Sequence, residues 1–325
     1  MEDSTDFLLM PMPDTDRMEQ IGLVATSLWQ AVPDSIRHVS DSANLVLTFN
    51  TPDKKIFLRL ASERDRRLEQ VEAEMDFLSY LHKGGVSVSL PVHSVNGRTV
   101  EIIRIEDELL LACAFREAEG DQFIFGDDDA NEKEFRLRGQ TLGRIHALSR
   151  DYVPPQGKRR FQWNEDDLLC NTERYLPRSE SVVWMEYDQL MSWLRYFPKS
   201  SASFGLIHGD FGPTNYRRKD GQLSVFDFDD SCYHWFAYDI AITIYPHGWR
   251  REVKALTDSL LAGYSEQIND ALPTTEDLTG FCRLRQLYMF LSYAKRWGFT
   301  NLSDEQQRWF AQKRENIARG YNLPV

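Results

Sequence analysis

A chain of 325 residues, 42% hydrophobic and 12% aromatic, has the apolar mass for a sizeable core in one large domain or two lobes. Its 38 Lys and Arg stand against 50 Asp and Glu, and the net charge of −12 would repel a phosphate backbone, which argues against nucleic acid and favours cationic partners. The longest apolar runs, such as Leu109 to Phe115, fall far short of the roughly 20 residues of a membrane helix, Glu2, Asp3 and Asp6 stand near the N-terminus, and Cys113, Cys170, Cys232 and Cys282 form no C-x-x-C pair. Membrane insertion, export, a disulfide framework and a thiolate zinc site are therefore not expected, and a cytoplasmic setting is.

In chain order, Asp14 to Val32 places Met18, Ile21, Val24, Ala25, Leu28 and Trp29 at helical spacing, with Asp14 as N-cap. From Ile36 to Leu60 the period changes to that of strands, through Ala43 to Phe49, a turn at Thr51-Pro-Asp-Lys-Lys, and Ile56-Phe-Leu-Arg-Leu. Arg67 to His82 is a helix with Leu68, Val71, Met75, Leu78 and Leu81 on one stripe, stopped by Gly84-Gly85. Strands are expected at Ser87 to Val92 and Thr99 to Ile105, separated by an Asn96-Gly97 turn, ahead of the apolar run from Leu109. An acidic stretch follows, including Asp127, Asp128 and Asp129, and helical patterns dominate from there on. The lobe boundary falls at 116/117, giving an N-terminal lobe of residues 1–116 and a C-terminal lobe of 117–325.

The informative segment is Leu206 to Tyr245. It opens Leu-Ile-His208-Gly209-Asp210-Phe-Gly-Pro-Thr-Asn215 and continues to Ser224-Val-Phe-Asp227-Phe-Asp-Asp. Phosphoryl transfer needs a carboxylate that orients the attacking hydroxyl and accepts its proton, with metals neutralising the phosphate oxygens. Asp210 with Asn215 five positions later meets half of that need. Asp227, after an apolar strand that follows the Lys219-Asp220-Gly221 turn, offers the second hard oxygen ligand that magnesium prefers. No G-x-x-x-x-G-K-[ST], G-x-S-x-G or H-E-x-x-H occurs, so P-loop, serine-hydrolase and zincin readings have no such support.

H-G-D-x-x-x-x-N, the apolar-apolar-Asp strand and Tyr238-Asp239-Ile240-Ala241 together resemble the aminoglycoside phosphotransferase and choline kinase superfamily. Gly209 where protein kinases carry the Arg of H-R-D, and Asp227-Phe228-Asp229 in place of D-F-G, also resemble the small-molecule kinases. The resemblance implies an α+β, bilobal, protein-kinase-like fold with a small antiparallel-sheet N-lobe and a larger, mainly helical C-lobe, ATP being held between them. It implies Asp210 as base, Asn215 and Asp227 on Mg2+, and Asp239 as a buried brace for the catalytic loop. Upstream, it places Arg59 where the family has a phosphate-contacting Lys, with Glu74 as its partner and Glu72 as the less favoured register. The phosphate-covering turn becomes Val39 to Asn44, with Ser42 and Asn44 as contacts and no glycine at all. Leu109 to Ala118 becomes the adenine-contacting hinge, with Ala114 and Arg116, and Gly139 to Leu148 the family's central helix.

His208 reads as a structural histidine satisfying buried hydrogen bonds. The acids at 127–129 read as a solvated loop, while Asp229 and Asp230 are the expected substrate contacts. Trp163, Tyr288, Tyr293, Trp297 and Trp309 are either pocket walls or core. The function expected is ATP- and Mg-dependent transfer of the γ-phosphoryl group to a hydroxyl of a small, cationic acceptor such as an aminoglycoside, amino alcohol or hydroxy amino acid. The alternatives are a serine/threonine protein kinase of the same fold and a catalytically weak kinase-like nucleotide-binding protein, the latter motivated by the glycine-free turn and Arg59.

Overall fold

The computed structural model describes residues 15–40, 44–122, 131–270 and 272–324. The chain divides into two units, the first holding Met1–Glu119 together with the later excursions Val153–Arg160 and Ser224–Asp229. The 116/117 boundary misses these excursions. Val225 donates to the Ser87 carbonyl and accepts from Ser89, both at 2.9 Å, and such pairing between distant segments has no local signal in sequence. Asp227 and Asp229 accordingly belong to the first unit.

In that unit, helix α1 (Thr15–Trp29) turns Ile21, Ala25 and Trp29 onto a sheet. The sheet uses β1 (Arg37–Ser40), β2 (Leu45–Asn50) and β3 (Lys55–Ser62), then helix α2 (Leu68–Lys83) intervenes before β4 (Pro91–Val92), β5 (Glu101–Ile105) and β6 (Glu108–Arg116). Strand order is β1-β2-β3-β6-β4, with β5 also on β6, and the pairings are antiparallel. Alternate residues Leu47, Phe49, Ile56, Leu58 and Leu60 fill the layer beneath α1, each such side chain contributing about 1.5–3 kcal/mol by its removal from water. Helix α2 buries Val71, Met75, Leu78 and Leu81, the stripe its sequence shows, and ends where Gly84 donates to the Tyr80 carbonyl (3.0 Å) and Gly85 turns to φ 82°.

The two strands flanking Asn96-Gly97 do not pair with each other. β5 pairs with β6 from Glu101↔Ala112 to Ile105↔Glu108, while β4 pairs with it only through Pro91↔Phe115 and Val92↔Ala114, so the two lie end to end on one edge. The first is shorter than its sequence suggests because Ser87 and Ser89 bond instead to Val225.

The second unit begins with β7 (Asp121–Gln122) and α3 (Glu132–Ser149), followed by the short helices α4 (Asp167–Cys170) and α5 (Thr172–Tyr175) and the longer α6 (Ser181–Tyr196). Strands β8 (Phe204–Ile207), β9 (Tyr216–Lys219), β10 (Gln222–Val225, whose last two residues belong to the first unit) and β11 (Cys232–Trp235) lead to α7 (Phe236–Ile244), α8 (Val253–Ser265), α9 (Thr275–Trp297) and α10 (Asp304–Arg319). Helices α3 and α8 cross closely enough that a Cβ on Gly139 would stand 1.9 Å from the Leu260 carbonyl oxygen, and one on Gly263 2.0 Å from that of Arg136. β8 and β11 pair antiparallel from Cys232↔Ile207 to Trp235↔Phe204. The β9–β10 hairpin turns at Asp220 and Gly221, both at positive φ (50° and 77°). Tyr293, Trp297 and Trp309, all half-buried, pack on one another at 4.4–5.4 Å between centroids, and Trp297 and Trp309 also pack on Phe310, so the three form an aromatic cluster with one another. Among the described residues, no helix is long and apolar enough to cross a membrane.

Candidate active site

The loop that leaves β8, which carries the candidate base Asp210, is held by one carboxylate. Asp239, in the first turn of α7 and without solvent exposure, accepts from the backbone N–H of His208 and of Gly209, each at 2.8 Å. The His146 Nε2 lies 3.1 Å from Asp239 Oδ2, and its Nδ1 lies 3.0 Å from the Tyr264 hydroxyl. Burial alone would raise the Asp239 pKa, but the hydrogen bond and charge of His146 and the loop amides hold it below the ordinary carboxylate value. Gly209 sits at φ 86°, and a Cβ there would stand 2.2 Å from the Asp230 carbonyl oxygen. The glycine of His-Gly-Asp is thus required by both conformation and space. His208 is buried, and its Nδ1 accepts from the Asp210 N–H at 3.2 Å, which makes it part of the loop's internal bonding.

Asp210 keeps 36% of its side chain exposed. The Asn215 Nδ2 donates to its carbonyl (2.8 Å) and to Oδ2 (3.0 Å), which leaves the Asn215 amide oxygen as the atom able to meet a cation. Arg285, from α9, donates to Asp210 Oδ1 at 2.5 Å. Burial would lower the Arg285 pKa, but Asp210 and the neighbouring Tyr238 and Asp230 keep it above the ordinary value. Sequence reasoning missed Arg285 because an arginine inside a long helix carries no local mark of the loop it reaches.

A pocket opens in the same unit at Gly209 and Asp230, with Trp163, Tyr238, Tyr288 and Asp166 among its walls. The Tyr288 hydroxyl donates to Asp166 Oδ2 at 3.2 Å, while Asp166 Oδ1 accepts from Leu168 N–H at 2.9 Å. The pocket lining holds Asp230, Trp163 and Tyr288 together, and Asp166, which sequence reasoning did not single out, joins them. The acids at 127–129 and Ser42 lie outside the described residues.

In the first unit, Arg59 on β3 and Glu74 on α2 form a two-pronged pair, with Nη1–Oε1 at 2.9 Å and Nη2–Oε2 at 2.7 Å. Burial works against the Arg59 charge, but Glu74 and Asp229 hold its pKa well above the ordinary value. Glu72 instead faces Lys158 at 3.4 Å. Asp227 is exposed and takes φ 64°, while Phe228 is buried edge-on against Phe77 (6.1 Å). Asp229 corrects an expectation: its carboxylate is not at a substrate surface but buried, accepting from Arg66 Nη2 (3.0 Å) and Asn44 Nδ2 (3.0 Å), with Arg59 Nη1 at 3.7 Å. Burial would raise its pKa, but Arg66, Arg59 and Arg160 hold it well below the usual carboxylate range. Asn44 is therefore occupied by Asp229. Ala114 is enclosed between Leu58 and Val92, and Arg116 is exposed, with its N–H on the Leu90 carbonyl (2.8 Å) and its carbonyl accepting from the Ser89 hydroxyl.

A carboxylate on a buried-Asp-braced loop, an asparagine at its side and a cation–carboxylate pair joining strand to helix define a kinase-like phosphotransferase. The chain belongs to the phosphotransferase enzyme family (APH), whose model matches residues 35–277. It is similar to amicoumacin kinase of Bacillus subtilis (strain 168), with 28% identity over 93% of this chain and 92% of that protein. Among solved structures it is similar to an amicoumacin kinase in complex with AMP-PNP, Ca2+ and Ami, at 25% identity and TM-score 0.86 over 94% of each chain. A microcompartment-associated aminopropanol kinase shares the fold at 21% identity and TM-score 0.75, over 92% of this chain and 95% of that one. The protein is an enzyme, a kinase of α+β, protein-kinase-like fold, and nucleotide use is implied.

Proposed function

We propose that this kinase transfers the γ-phosphoryl group of Mg·ATP to a hydroxyl of a small, amine-bearing molecule in the cytoplasm. The relatives named for amicoumacin, aminopropanol and, at 24% identity, homoserine point to small hydroxyl acceptors. The observation that carries the reading is the pocket at Gly209. Its lining brings the acids Asp166 and Asp230 beside Trp163 and Tyr288, residue types suited to an ammonium, next to the residue that precedes Asp210.

Asp210 accepts a hydrogen bond from the acceptor hydroxyl, orients its oxygen for in-line attack and takes its proton as the bond to phosphorus forms. Arg285 and Asn215 fix the direction of that carboxylate. The hard oxygens of Asn215 and of exposed Asp227 suit magnesium, which when bound neutralises phosphate charge. The product is a phosphate monoester, with ADP as leaving group.

The test is ADP release from Mg·ATP in the presence of a pooled panel of amino alcohols, aminoglycosides and hydroxy amino acids, with Asp210→Ala alongside. Turnover that requires both an acceptor and Asp210 supports the reading, and deconvolution names the substrate. ATP binding with no working acceptor overturns the small-amine assignment.

A further inference from the structure

His234, on β11, lines the pocket at Gly209 and is only 2% exposed, and phosphoryl transfer through Asp210 gives it no task. Its Nδ1 accepts from the backbone N–H of Trp235 at 2.8 Å. A ring nitrogen that accepts carries no proton, so in the neutral imidazole the proton sits on Nε2 and makes that atom a donor. Burial keeps the ring neutral by pushing its pKa down to about 3, and Asp239 opposes it only in part. The fold has thus fixed both the charge and the tautomer of a group in the pocket wall.

Among the described residues no oxygen accepts from that Nε2–H. His146, buried in the same unit, shows the contrast, with Nδ1 3.0 Å from the Tyr264 hydroxyl and Nε2 3.1 Å from Asp239. The neighbours of the His234 ring are aromatic: Tyr238 stacks on it at 4.3 Å between centroids, and Trp163 and Phe281 meet it edge-to-face at 6.2 and 5.8 Å. A ring face is a weak substitute for an oxygen, and a buried donor left without one costs free energy. A molecule bound in the pocket can supply that oxygen. The neutral form is also the one compatible with an ammonium in the same pocket, because an imidazolium would repel it.

We propose that His234 is a specificity-determining residue that donates from Nε2 to a carbonyl oxygen of the acceptor, which is therefore an amine-bearing alcohol that also carries a carboxylate or an amide. The inference rests on the small-amine reading above and narrows it: hydroxy amino acids and their amides satisfy the donor, and plain amino alcohols strand it. A carbonyl oxygen suits a fixed donor because it has two lone pairs and no proton of its own to place. A site built around such a bond rejects the analogue that lacks it more strongly than an apolar pocket rejects a missing methylene.

The test is kcat/KM with Mg·ATP for ethanolamine, serine and serinamide, for propanolamine, homoserine and homoserinamide, and for aminoglycosides, with the full chain and with His234→Asn, His234→Phe and His234→Gln. Within each of the first two sets only the carbonyl group differs, and serine against serinamide separates an anionic from a neutral carbonyl. The best carbonyl-bearing member should exceed its plain counterpart by about tenfold to a hundredfold, the cost of leaving a buried donor unpaired. His234→Asn keeps an oxygen for the Trp235 N–H but drops the donor into the pocket, His234→Phe drops both and lowers Tm, and each should abolish the preference. His234→Gln, which keeps an N–H at about the reach of Nε2, should retain part of it. A purely structural role lowers both acceptors alike and leaves their ratio unmoved. Plain amino alcohols as good as their counterparts, turnover of aminoglycosides alone, or a preference that survives His234→Asn overturns the inference alone. Turnover of no amine-bearing acceptor overturns the small-amine reading with it.

Discussion

Asp239 and Asp229 are both buried carboxylates at the service of a loop, and they are satisfied in opposite ways. Asp239 takes its donors from the backbone of His208 and Gly209 and from His146. Asp229 takes its donors from the side chains of Asn44 and Arg66, with Arg59 near, residues more than a hundred and fifty positions away in the chain. Backbone amides come with the loop, so apart from His146 the first arrangement needs only an aspartate at the right offset and the glycine that lets the loop turn. Side-chain cations must each be chosen and delivered by separate elements, so the second depends on the whole unit being folded. The difference separates what a motif guarantees from what a fold assembles.

The sharpest way to break the comparison is to remove each centre's anchor. Asp239→Ala leaves two loop N–H groups and His146 without their acceptor in an unexposed site, and should cost about 3–5 kcal/mol in urea unfolding. A loss below about 1 kcal/mol would remove the brace from the account. Arg59→Met strands Glu74 and should cost about 3 kcal/mol by the same measurement. Arg160 Nη1, 3.8 Å from Glu74 Oε2, supplies partial compensation that Asp239 lacks. Equal losses at the two centres would mean that donor type does not matter.

Gly209→Ala tests the backbone side of the contrast. It forces a Cβ to 2.2 Å from the Asp230 carbonyl oxygen at a φ of 86°. We expect a loss of about 2–3 kcal/mol in stability together with a fall in kcat, since the carboxylate of Asp210 is carried on the displaced peptide. Unchanged kcat and unchanged urea midpoint would show that the loop has room the geometry denies it.

The same contrast explains what could be read in advance. His208-Gly209-Asp210, Asn215 and Asp239 are legible because short offsets and a required glycine leave a signature, and the strand and helix periods of residues 14–82 emerge because burial on one face imposes them. The Arg59–Glu74 pair was within reach because strand and helix are sequential. Arg285, Arg160 and Arg66 were not: an arginine on a helix or loop looks the same whether it meets solvent or a carboxylate. The excursion of Ser224–Asp229 into the first unit, the short β4 and the burial of Asp229 share that cause, since each follows from pairing between distant segments.

A pH titration extends the comparison to groups that burial keeps neutral. His234, fully enclosed on β11, has its pKa pushed down by burial to about 3, against which Asp239 acts only in part. Because the unfolded chain takes up a proton near pH 6.5 and the folded chain does not, stability is complete above about pH 6.5 and is lost as pH falls toward 3. At pH 5 the loss from this one residue should be about 2 kcal/mol. His234→Phe should flatten the urea midpoint between pH 7 and pH 5 relative to wild type; an unchanged slope would assign the loss elsewhere.

The smallest effect belongs to an ion pair that has neither burial nor a network. Arg319 Nη2 and Glu315 Oε1 meet at 2.7 Å, four residues apart at the end of α10, with side chains 69% and 62% exposed. The order is the favourable one, acid before base, and the cation lies in the last turn, where the helix dipole adds to it. Water nevertheless solvates both groups in either state, so Glu315→Ala should shift the urea midpoint by no more than about 0.3–0.5 kcal/mol, and less in high salt. The Arg59–Glu74 pair shares its 2.7 Å separation and is expected to be worth several times more to break, because what is lost there is not mainly the attraction. It is the partner left behind in a place without water, so a large loss from Glu315→Ala would undo the use of burial as the deciding variable.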